Sequence, residues 1–437
     1  MNWDKKTLGE IYEIEGGSVQ TGPFGSQLHE SDYKEFGVPV IMPKDIKNDK
    51  LDLSNISFIS DDDAKRLSQH IVKKDDIVCP RRGEIGKRIL VDEANIGAFC
   101  GTGCIRLRGT GTVLNQLFFF YFLKQPKVVK WIENQAIGAT MMNLNTSILK
   151  SIPIKYPPLP IQQKIASILS SYDELIENNK QRIKLLEEMA EEIYKEWFVR
   201  LRFPGYENTE MVDGLPEGWV RKPIDEFLSF SMSKAKLKKF NNTKTYIATA
   251  DVTDINITGK GEIIDWENKP SRAQLVPELN SVFFARMSNT YKVLVFSETN
   301  KELIDELALT SGFLGLKALN EETLPYLFWL IKSDTFHNYK DVFSNGATQV
   351  SLTNEGFHNI KLVEPSLSII EKFGKTTSAF LDEIITLNKK NQLLQETRDL
   401  LLPRLISGKL SVEHLVEKEL AMVAEPTVNY RKTKMEE

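Results

Sequence analysis

One stretch organises this chain: residues 157–200 read PPLPIQQKIASILSSYDELIENNKQRIKLLEEMAEEIYKEWFVR. Pro157, Pro158 and Pro160 end the secondary-structure element that precedes them. Residues 161–200 contain neither glycine nor proline. Apolar or small side chains recur there in steps of three and four, which predicts one long helix with a narrow apolar seam. At 1.5 Å per residue the helix is about 60 Å long, and it needs a partner to bury its seam. The seam residues are Leu169, Tyr172, Ile176, Ile183, Leu186, Ala190, Ile193 and Trp197, with one polar interruption at Asn179.

The rest of the chain supplies that partner through an internal duplication. Several landmarks of the first half recur in the second half, in the same order and at nearly one offset, which indicates a repeat with a period of about 208 residues. The matching segments are GAT at 138–140 and 346–348, YDELIENNK at 172–180 and LDEIITLNK at 381–389, and the residues Arg81 with Arg286 and Lys87 with Lys292.

The repeat includes a second long helix, from about Ile369 to Ile406, which carries Gly374 and, near its end, Pro403. The two helices are expected to pair antiparallel, which places the globular domains at opposite ends and creates a pseudo-two-fold axis. The predicted fold class is mixed α/β (α+β): two globular domains separated by two long helices that form an antiparallel coiled coil. The second seam comprises Phe373, Thr377, Phe380, Ile384, Leu387, Asn391, Leu394, Arg398, Leu401 and Leu405.

The duplication also divides the chain into segments. Glycine and proline residues between the halves mark a linker, and the charged C-terminus is expected to be a mobile tail. The predicted segments are a first globular domain at 1–155, a first long helix at 156–203, a linker at 204–218, a second globular domain at 219–365, a second long helix at 366–408, and an extension and tail at 409–437.

Composition is that of a globular protein of the reducing cytoplasm. The chain has 437 residues, 41% hydrophobic and 27% charged, with a net charge of −4, so contacts with phosphates must come from local patches. Cys79, Cys100 and Cys104 lack nearby histidines and are expected to be free thiols rather than disulfides or zinc ligands. No signal-peptide pattern opens the chain, and the most apolar run, Leu117–Leu123, is too short to span a bilayer.

Catalytic patterns are weak throughout. GEIGKR at 83–88 lacks the spacing of a phosphate-binding loop, and no serine or cysteine sits in a nucleophile-elbow pattern. The five histidines are scattered without metal-ligand spacing. No catalytic or metal-binding residue is therefore predicted.

The glycine-rich stretch QTGPFGSQL, residues 20–28, allows two interpretations. It forms a tight structural turn, or it lets the backbone approach DNA closely, with Gln20, Thr21 and Ser26 as contacts. The two GAT turns carry the same ambiguity, because polar residues follow each predicted chain reversal.

Basic side chains cluster in both halves beside Gln, Asn, Ser and Thr. Cations neutralise phosphates while amides and hydroxyls read base edges, so this mixture favours DNA binding. Solvated surface charge is the ordinary alternative for any one of them. The predicted DNA-binding residues are Gln20, Thr21, Ser26, Arg81, Arg82, Lys87, Thr140, Asn143, Lys234, Lys236, Arg286, Lys292, Thr348 and Gln349.

Four segments resemble the specificity subunit of type I restriction-modification systems, and the resemblance covers almost the whole chain. The start of the long helix and the duplicated layout are its most specific parts. The segments are TGPFGSQL at 21–28, DDIVCPRRGEIGK at 75–87, GATMMNLNTSILKSIPIKYPPLPIQQKIASIL at 138–169 and LLLPRLISGKLSVE at 400–413.

The resemblance implies a DNA-reading subunit without an active site. Each globular domain would be a target recognition domain that reads one half of a bipartite, asymmetric sequence in double-stranded DNA. The coiled coil would fix the spacing of the half-sites, which should lie on one face of the duplex about a helical turn apart. Two modification subunits would dock, bind S-adenosylmethionine and methylate an adenine in each half-site. Restriction subunits that use ATP and magnesium would join them.

The second half departs from this pattern. No second TGPFGS occurs, since the corresponding region reads FLSFSMSKAKLKKF, and the second helix begins EPSLSIIEKF without the double proline. Two other functions stay open on the residues alone: a coiled-coil scaffold that does not read DNA, and a methyltransferase or nuclease in its own right. A steep loss of DNA affinity with rising salt separates a DNA reader from a scaffold.

Overall fold

A computed structural model describes residues 3–84, 86–135, 143–346 and 350–417 of the chain. It divides into two compact units. Unit 1 contains residues 1–174 and 394–437, and unit 2 contains residues 175–393. Within the described ranges, no helix is long and apolar enough to cross a membrane.

Unit 1 combines short strands with helices. Its strands are β1 (Asp4–Thr7), β2 (Ser18–Thr21), β3 (Tyr33–Lys34), β4 (Val38–Ile41), β5 (Ile46–Lys47), β6 (Lys50–Leu51), β7 (Ser57–Ile59), β8 (Ile77–Pro80), β9 (Ile89–Leu90), β10 (Phe99–Cys100), β11 (Cys104–Arg108) and β12 (Pro153–Tyr156). Its helices are α1 (Leu8–Glu15), α2 (Asp61–Arg66), α3 (Gln116–Leu123), α4 (Pro126–Gln135), α5 (Thr146–Lys150) and the first part of α6 (Leu159–Tyr194).

Two four-stranded sheets and a strand pair organise unit 1. One sheet has the order β2-β11-β8-β9 and is antiparallel, and the other has the order β10-β4-β7-β3 with β10 and β4 parallel. β1 pairs with β12 just before α6 begins. Helix α3 is apolar on nearly every side, and Phe118 and Phe119 are both 0% exposed, as expected for a helix enclosed by the core.

Unit 2 likewise combines short strands with helices. Its strands are β13 (Met211–Val212), β14 (Leu215–Pro216), β15 (Val220–Pro223), β16 (Phe230–Met232), β17 (Lys244–Ile247), β18 (Val252–Thr253), β19 (Asn256–Ile257), β20 (Glu262–Ile264), β21 (Ala273–Leu275), β22 (Ser281–Ala285), β23 (Val293–Phe296), β24 (Leu307–Thr310), β25 (Phe313–Ala318), β26 (Ser344–Asn345), β27 (Ser351–Leu352) and β28 (Lys361–Glu364). Its helices are the rest of α6, α7 (Glu302–Glu306), α8 (Leu324–Lys332), α9 (Asp334–Val342), α10 (Asn354–His358) and most of α11 (Leu367–Ile406).

The sheet topology of unit 2 repeats that of unit 1, which confirms the duplication. The order β16-β25-β22-β23 corresponds to β2-β11-β8-β9. β17 runs parallel to β24, as β4 does to β10, and β15 pairs with β28, as β1 does with β12. The repeat therefore extends from the sequence landmarks to the pairing of strands.

Both long helices are present. The predicted helix at 157–200 starts at Leu159 and finishes with a π-helical turn, Lys195–Val199. α11 continues through Pro403 to Ile406. Gly374 has a packing role in α11, because a Cβ there would lie 1.7 Å from the carbonyl oxygen of Glu322. The helix thus passes against neighbouring backbone at a point where only glycine fits.

Within unit 2 the two helices pair antiparallel. The side chains of Asn179 and Asn391 share a hydrogen bond of 2.9 Å. Further along α6, the ring centroid of Phe198 lies 5.1 Å from that of Phe373. The α11 partner moves toward its N-terminus as α6 advances, which is the antiparallel pairing that the seams predict.

Unit 1 contains the beginning of α6 and the end of α11. Arg398 of α11 forms an ion pair with Asp173 of α6, whose other oxygen accepts a 2.6 Å hydrogen bond from the Tyr121 hydroxyl. Leu169 and Leu405 belong to the same apolar core. The seam residues of both helices therefore contribute to unit 1 as well.

Gln162 explains one part of the sequence pattern at the start of α6. Its side chain is 0% exposed and accepts from the backbone N–H of Asn115 at 2.9 Å. It also donates to the carbonyls of Val113 and Pro157, both at 2.9 Å. Both the oxygen and the NH2 group of this buried amide are hydrogen-bonded, and these bonds connect the first turn of α6 to the segment before α3.

The compact units differ in their limits from the segments predicted from sequence. The units divide inside both long helices, at 174/175 and 393/394. The predicted linker at 204–218 lies within unit 2 and contains the paired strands β13 and β14. The predicted tail includes residues beyond 417, which lie outside the described ranges.

The cysteines match the expectation of free thiols. Cys79, Cys100 and Cys104 are buried and unpaired by disulfides. Burial raises the pKa of the Cys79 thiol to about 11, so the thiolate is scarce at neutral pH. These side chains serve as small apolar groups in the core of unit 1.

Candidate nucleic-acid interface

In unit 1 the segment after β8 is held from both sides by backbone hydrogen bonds. The N–H of Arg81 donates to the carbonyl of Gly103 at 2.6 Å, and the carbonyl of Arg81 accepts from the N–H of Leu144 at 2.8 Å. Arg82 forms a β-bridge with Asn143. The fold thus brings the PRRGEIGK segment next to residues that follow the first GAT sequence, and Arg82 is exposed there.

The Arg81 side chain connects this segment to the glycine-rich stretch. Its guanidinium carbon lies 5.7 Å from the ring centroid of Phe24, whose side chain is 56% exposed. Its Nε has no hydrogen-bond partner among the described residues. A cation next to an exposed aromatic ring suits a surface that meets DNA, because one contributes charge and the other a flat apolar face.

Phe24 was not among the predicted contacts. The sequence did offer a signal, since an aromatic residue between proline and glycine in a loop has little local core to enter. Gly22, two residues earlier, supports the structural interpretation of this turn. A Cβ at Gly22 would lie 2.0 Å from the carbonyl oxygen of Gly101, so the backbone itself requires glycine there.

The other predicted residues of unit 1 occupy varied positions. Gln20 lies on β2, and its Oε1 accepts a 2.8 Å hydrogen bond from Arg106, so that oxygen is already engaged within the protein. Thr21 is half-buried and Ser26 is exposed. Lys87 forms an ion pair of 2.9 Å with Glu84. Their contacts with DNA stay predictions, and Thr140 lies outside the described residues.

Unit 2 holds the equivalent segment in the same way. The N–H of Arg286 donates to the carbonyl of Gly312 at 2.9 Å, and its carbonyl accepts from Leu352 at 2.8 Å. Met287 forms a β-bridge with Ser351. Arg81 and Arg286 therefore occupy equivalent backbone positions, as the common offset predicts.

The Arg286 side chain is engaged differently from that of Arg81. Its Nε donates to the carbonyl of Phe313 at 3.2 Å, and its Nη1 donates to the carbonyl of Leu352 at 2.9 Å. Its Nη2 donates to the Asn354 Oδ1 at 2.8 Å, and burial lowers the pKa of the guanidinium. Three acceptors inside unit 2 give this arginine a structural role.

Three further predicted residues of unit 2 lie in the described part of the chain, and two do not. The Lys292 Nζ donates to the carbonyl of Thr249 at 2.7 Å, so one of its donors is used within the fold. Thr348 and Gln349 lie outside the described residues. DNA contacts by these residues and by Arg286 stay predictions.

Lys234 and Lys236 are exposed and line an open groove, which we call the lysine groove. The Nζ of Lys244 lies 5.9 Å from the Phe240 ring centroid, and Phe240 packs edge-on against Trp266. Closely spaced lysines beside aromatic rings provide a positive surface for a phosphate backbone. The lysine groove consists of Lys234, Lys236, Lys238, Lys239, Phe240 and Lys244, together with Ala235, Leu237, Val276 and Glu278.

Comparison with known proteins finds similarity to specificity subunits of type I restriction-modification systems. Residues 1–188 match a family model described as the type I restriction modification DNA specificity domain. The type I restriction enzyme MjaIX specificity subunit of Methanocaldococcus jannaschii is 27% identical over 433 residues, which cover 95% of each chain. The type I restriction enzyme HindI specificity subunit of Haemophilus influenzae is 21% identical over 84% of this chain and 93% of its own.

A solved structure shares the fold. The type I restriction-modification S subunit from M. genitalium aligns with a TM-score of 0.59 at 18% identity, covering 93% of this chain and 96% of its own. The sequence matches extend over both halves of the duplication, as this structural match does. Residues 1–188 thus match the type I DNA specificity domain, and almost the whole chain is similar to type I restriction-modification specificity subunits.

Proposed function

We propose that this chain reads a bipartite, asymmetric DNA sequence for a type I restriction-modification complex. Unit 1 would read one half-site and unit 2 the other. The paired helices would set the spacing between the half-sites and provide the docking site for the modification subunits.

The observation that carries this proposal is the same backbone arrangement in two non-identical copies. In each unit, a loop is held between a glycine carbonyl and the N–H of a leucine, at Arg81 and at Arg286. The side chains on the two loops differ, with Arg82 exposed in one and Met287 in the other. A repeated fold with different loop side chains is what two different half-sites require.

The catalytic steps of the complex would be carried out by the partner subunits. Two modification subunits would bind S-adenosylmethionine and methylate one adenine in each half-site, and restriction subunits would use ATP and magnesium. The chain itself would bind none of these cofactors and would catalyse no step. Its contribution is the free energy of binding one DNA sequence rather than another.

Expression of the chain with its modification subunits, followed by sequencing of methylated adenines, tests the proposal. The expected result is one motif with two defined halves and a spacer of fixed length. Methylation without a defined motif would contradict it. A single continuous motif without a spacer would also contradict the proposal, because only one unit would then be reading DNA.

A further inference from the structure

Residues 287–291 lie between β22 and β23 and are called the 287–291 loop. The buried ammonium group of Lys340 holds this loop to α9. Lys340 of α9 is 0% exposed, and its Nζ donates to the carbonyls of Met287 at 3.2 Å and Thr290 at 2.6 Å. The nearest oxygen of Asp341 is 4.0 Å from this Nζ. A buried charge is costly unless it is well solvated by the protein, and here loop carbonyls provide much of that solvation.

A second set of contacts fixes the same loop. Asp341 accepts a 3.0 Å hydrogen bond from the N–H of Asn289, a residue in the left-handed region at φ 55°. The N–H of Ser288 donates to the carbonyl of Val350 at 3.1 Å. The backbone of the loop is therefore held by hydrogen bonds to other parts of unit 2.

The outward side chains are uncharged. Met287 is 37% exposed, Tyr291 is 53% exposed and Asn289 is exposed as well. The ring of Tyr291 rests on His337, with centroids 4.1 Å apart, and His337 itself is only 1% exposed. An exposed ring supported from behind by a buried one has a fixed orientation, so it loses little conformational entropy when it binds.

Unit 1 lacks this arrangement at the equivalent positions. The offset of 205 relates Arg81 to Arg286, and by that offset Gly86 is the residue of unit 1 equivalent to Tyr291. The offset of 208 relates α4 to α9, and by that offset Ile132 is equivalent to Lys340. A buried lysine is thus not a requirement of the repeated fold. It accompanies the loop that carries the aromatic side chain.

We infer that the 287–291 loop reads base edges in the half-site of unit 2, with Asn289 and Tyr291 as specificity-determining residues and Lys340 as the residue that positions them. The inference rests on the proposed function and assigns one reading element to unit 2. Base edges are the target because phosphate contacts depend mainly on cations, whereas the exposed side chains here are an amide, a thioether and a phenol. An asparagine amide can pair with an adenine edge, and an aromatic ring can contact a thymine methyl group.

Methylated-adenine sequencing of the complete complex tests this inference in two steps. The wild-type complex must first yield a bipartite motif, and its absence would count against the proposed function rather than the loop. Asn289→Ala and Tyr291→Ala are then expected to relax base preference roughly tenfold or more at positions in one half-site, the same one for both variants. Arg82→Ala, in unit 1, should affect only the other half-site.

Controls separate reading from folding. Tyr206→Ala removes another exposed tyrosine of unit 2, which is 42% exposed, and should leave the motif unchanged. Lys340→Met should relax the same half-site as Tyr291→Ala and leave the salt dependence of DNA binding unchanged, because Lys340 would not meet phosphates. A wild-type motif that persists in both Asn289→Ala and Tyr291→Ala would overturn the inference, even if Lys340→Met fails to fold.

Discussion

Asn179 of α6 and Asn391 of α11 meet inside the helix pair of unit 2, where the Nδ2 of Asn179 donates to the Oδ1 of Asn391 at 2.9 Å. Both side chains are buried, at 9% and 6% exposed. Asn179 interrupts an otherwise apolar seam, whereas the seam of α11 also carries Thr377 and Arg398, and one hydrogen bond joins the two amides. A polar pair in a seam favours one register of two helices at a cost in stability.

The Asn179–Asn391 pair should respond unequally to single and double replacement. Asn179→Leu or Asn391→Leu alone leaves one buried amide unpaired and should reduce the free energy of unfolding by about 1–3 kcal/mol. The double leucine variant removes both polar groups and should be at least as stable as the wild type. Thermal unfolding followed by circular dichroism compares the four proteins. A double variant less stable than the wild type would show that the amides contribute net stability.

Arg81 and Arg286 should have different roles despite their equivalent positions. Arg81→Ala should weaken DNA binding by about 1–3 kcal/mol if the side chain reaches a base, with little change in the unfolding temperature. Arg286→Ala leaves the acceptors at Phe313, Leu352 and Asn354 without their donor, so it should lower stability by about 1–3 kcal/mol. Fluorescence anisotropy with target DNA and thermal unfolding measure the two effects. Equal losses of stability would argue against a distinct role for Arg81.

The lysine groove should bind DNA without regard to sequence. Lys234→Ala and Lys236→Ala should each weaken binding to all DNA sequences and reduce the slope of log affinity against log salt by about 1. Lys180→Ala is the matched control, because Lys180 is an exposed lysine of unit 2 on α6, outside the groove. Titrations at several salt concentrations provide the slopes. Unchanged slopes in both groove variants would place phosphate contacts elsewhere.

His337 should make unit 2 less stable in mild acid. Burial, followed by the nearby charge of Lys340, lowers the pKa of this histidine from its usual 6.5 to about 4. Between these values the unfolded chain binds a proton that the folded chain does not, so stability should fall as the pH drops from 6.5 toward 4. The slope from this group is at most about 1.4 kcal/mol per pH unit. Chemical unfolding across that range in the wild type and in His337→Gln isolates it, and parallel profiles would contradict the assignment.

Sequence reasoning succeeded where a pattern extends over many residues. The seam from Leu169 to Trp197 predicts α6, and an offset near 208 predicts a second helix that tolerates Pro403. Periodicity reports which face of a helix is apolar, and repetition reports equivalent positions in a duplicated chain. Neither depends on knowing which distant side chains meet.

Sequence reasoning was less informative about individual contacts. Gln20 and Arg286 have the composition of DNA-contacting residues, yet Gln20 accepts from Arg106 and Arg286 donates to three acceptors within unit 2. The place of Phe24 between proline and glycine indicates exposure, but its contact with the distant Arg81 appears only in the folded chain. Hydrogen-bond partners tens of residues away decide whether a polar side chain is available, and a linear pattern does not contain them.

The sequence by itself determined the two long helices and the duplicated plan, because these follow from periodicity and repeated landmarks along the chain. Only the tertiary structure decided that Asn179 faces Asn391, and that Lys340 lies beneath the 287–291 loop. The physical reason is that burial strengthens the hydrogen bonds of a polar group and makes it costly to leave that group unpaired. The same lysine or asparagine is a hydrated charged or polar group at the surface, and a fixed hydrogen-bonding contact where water is excluded.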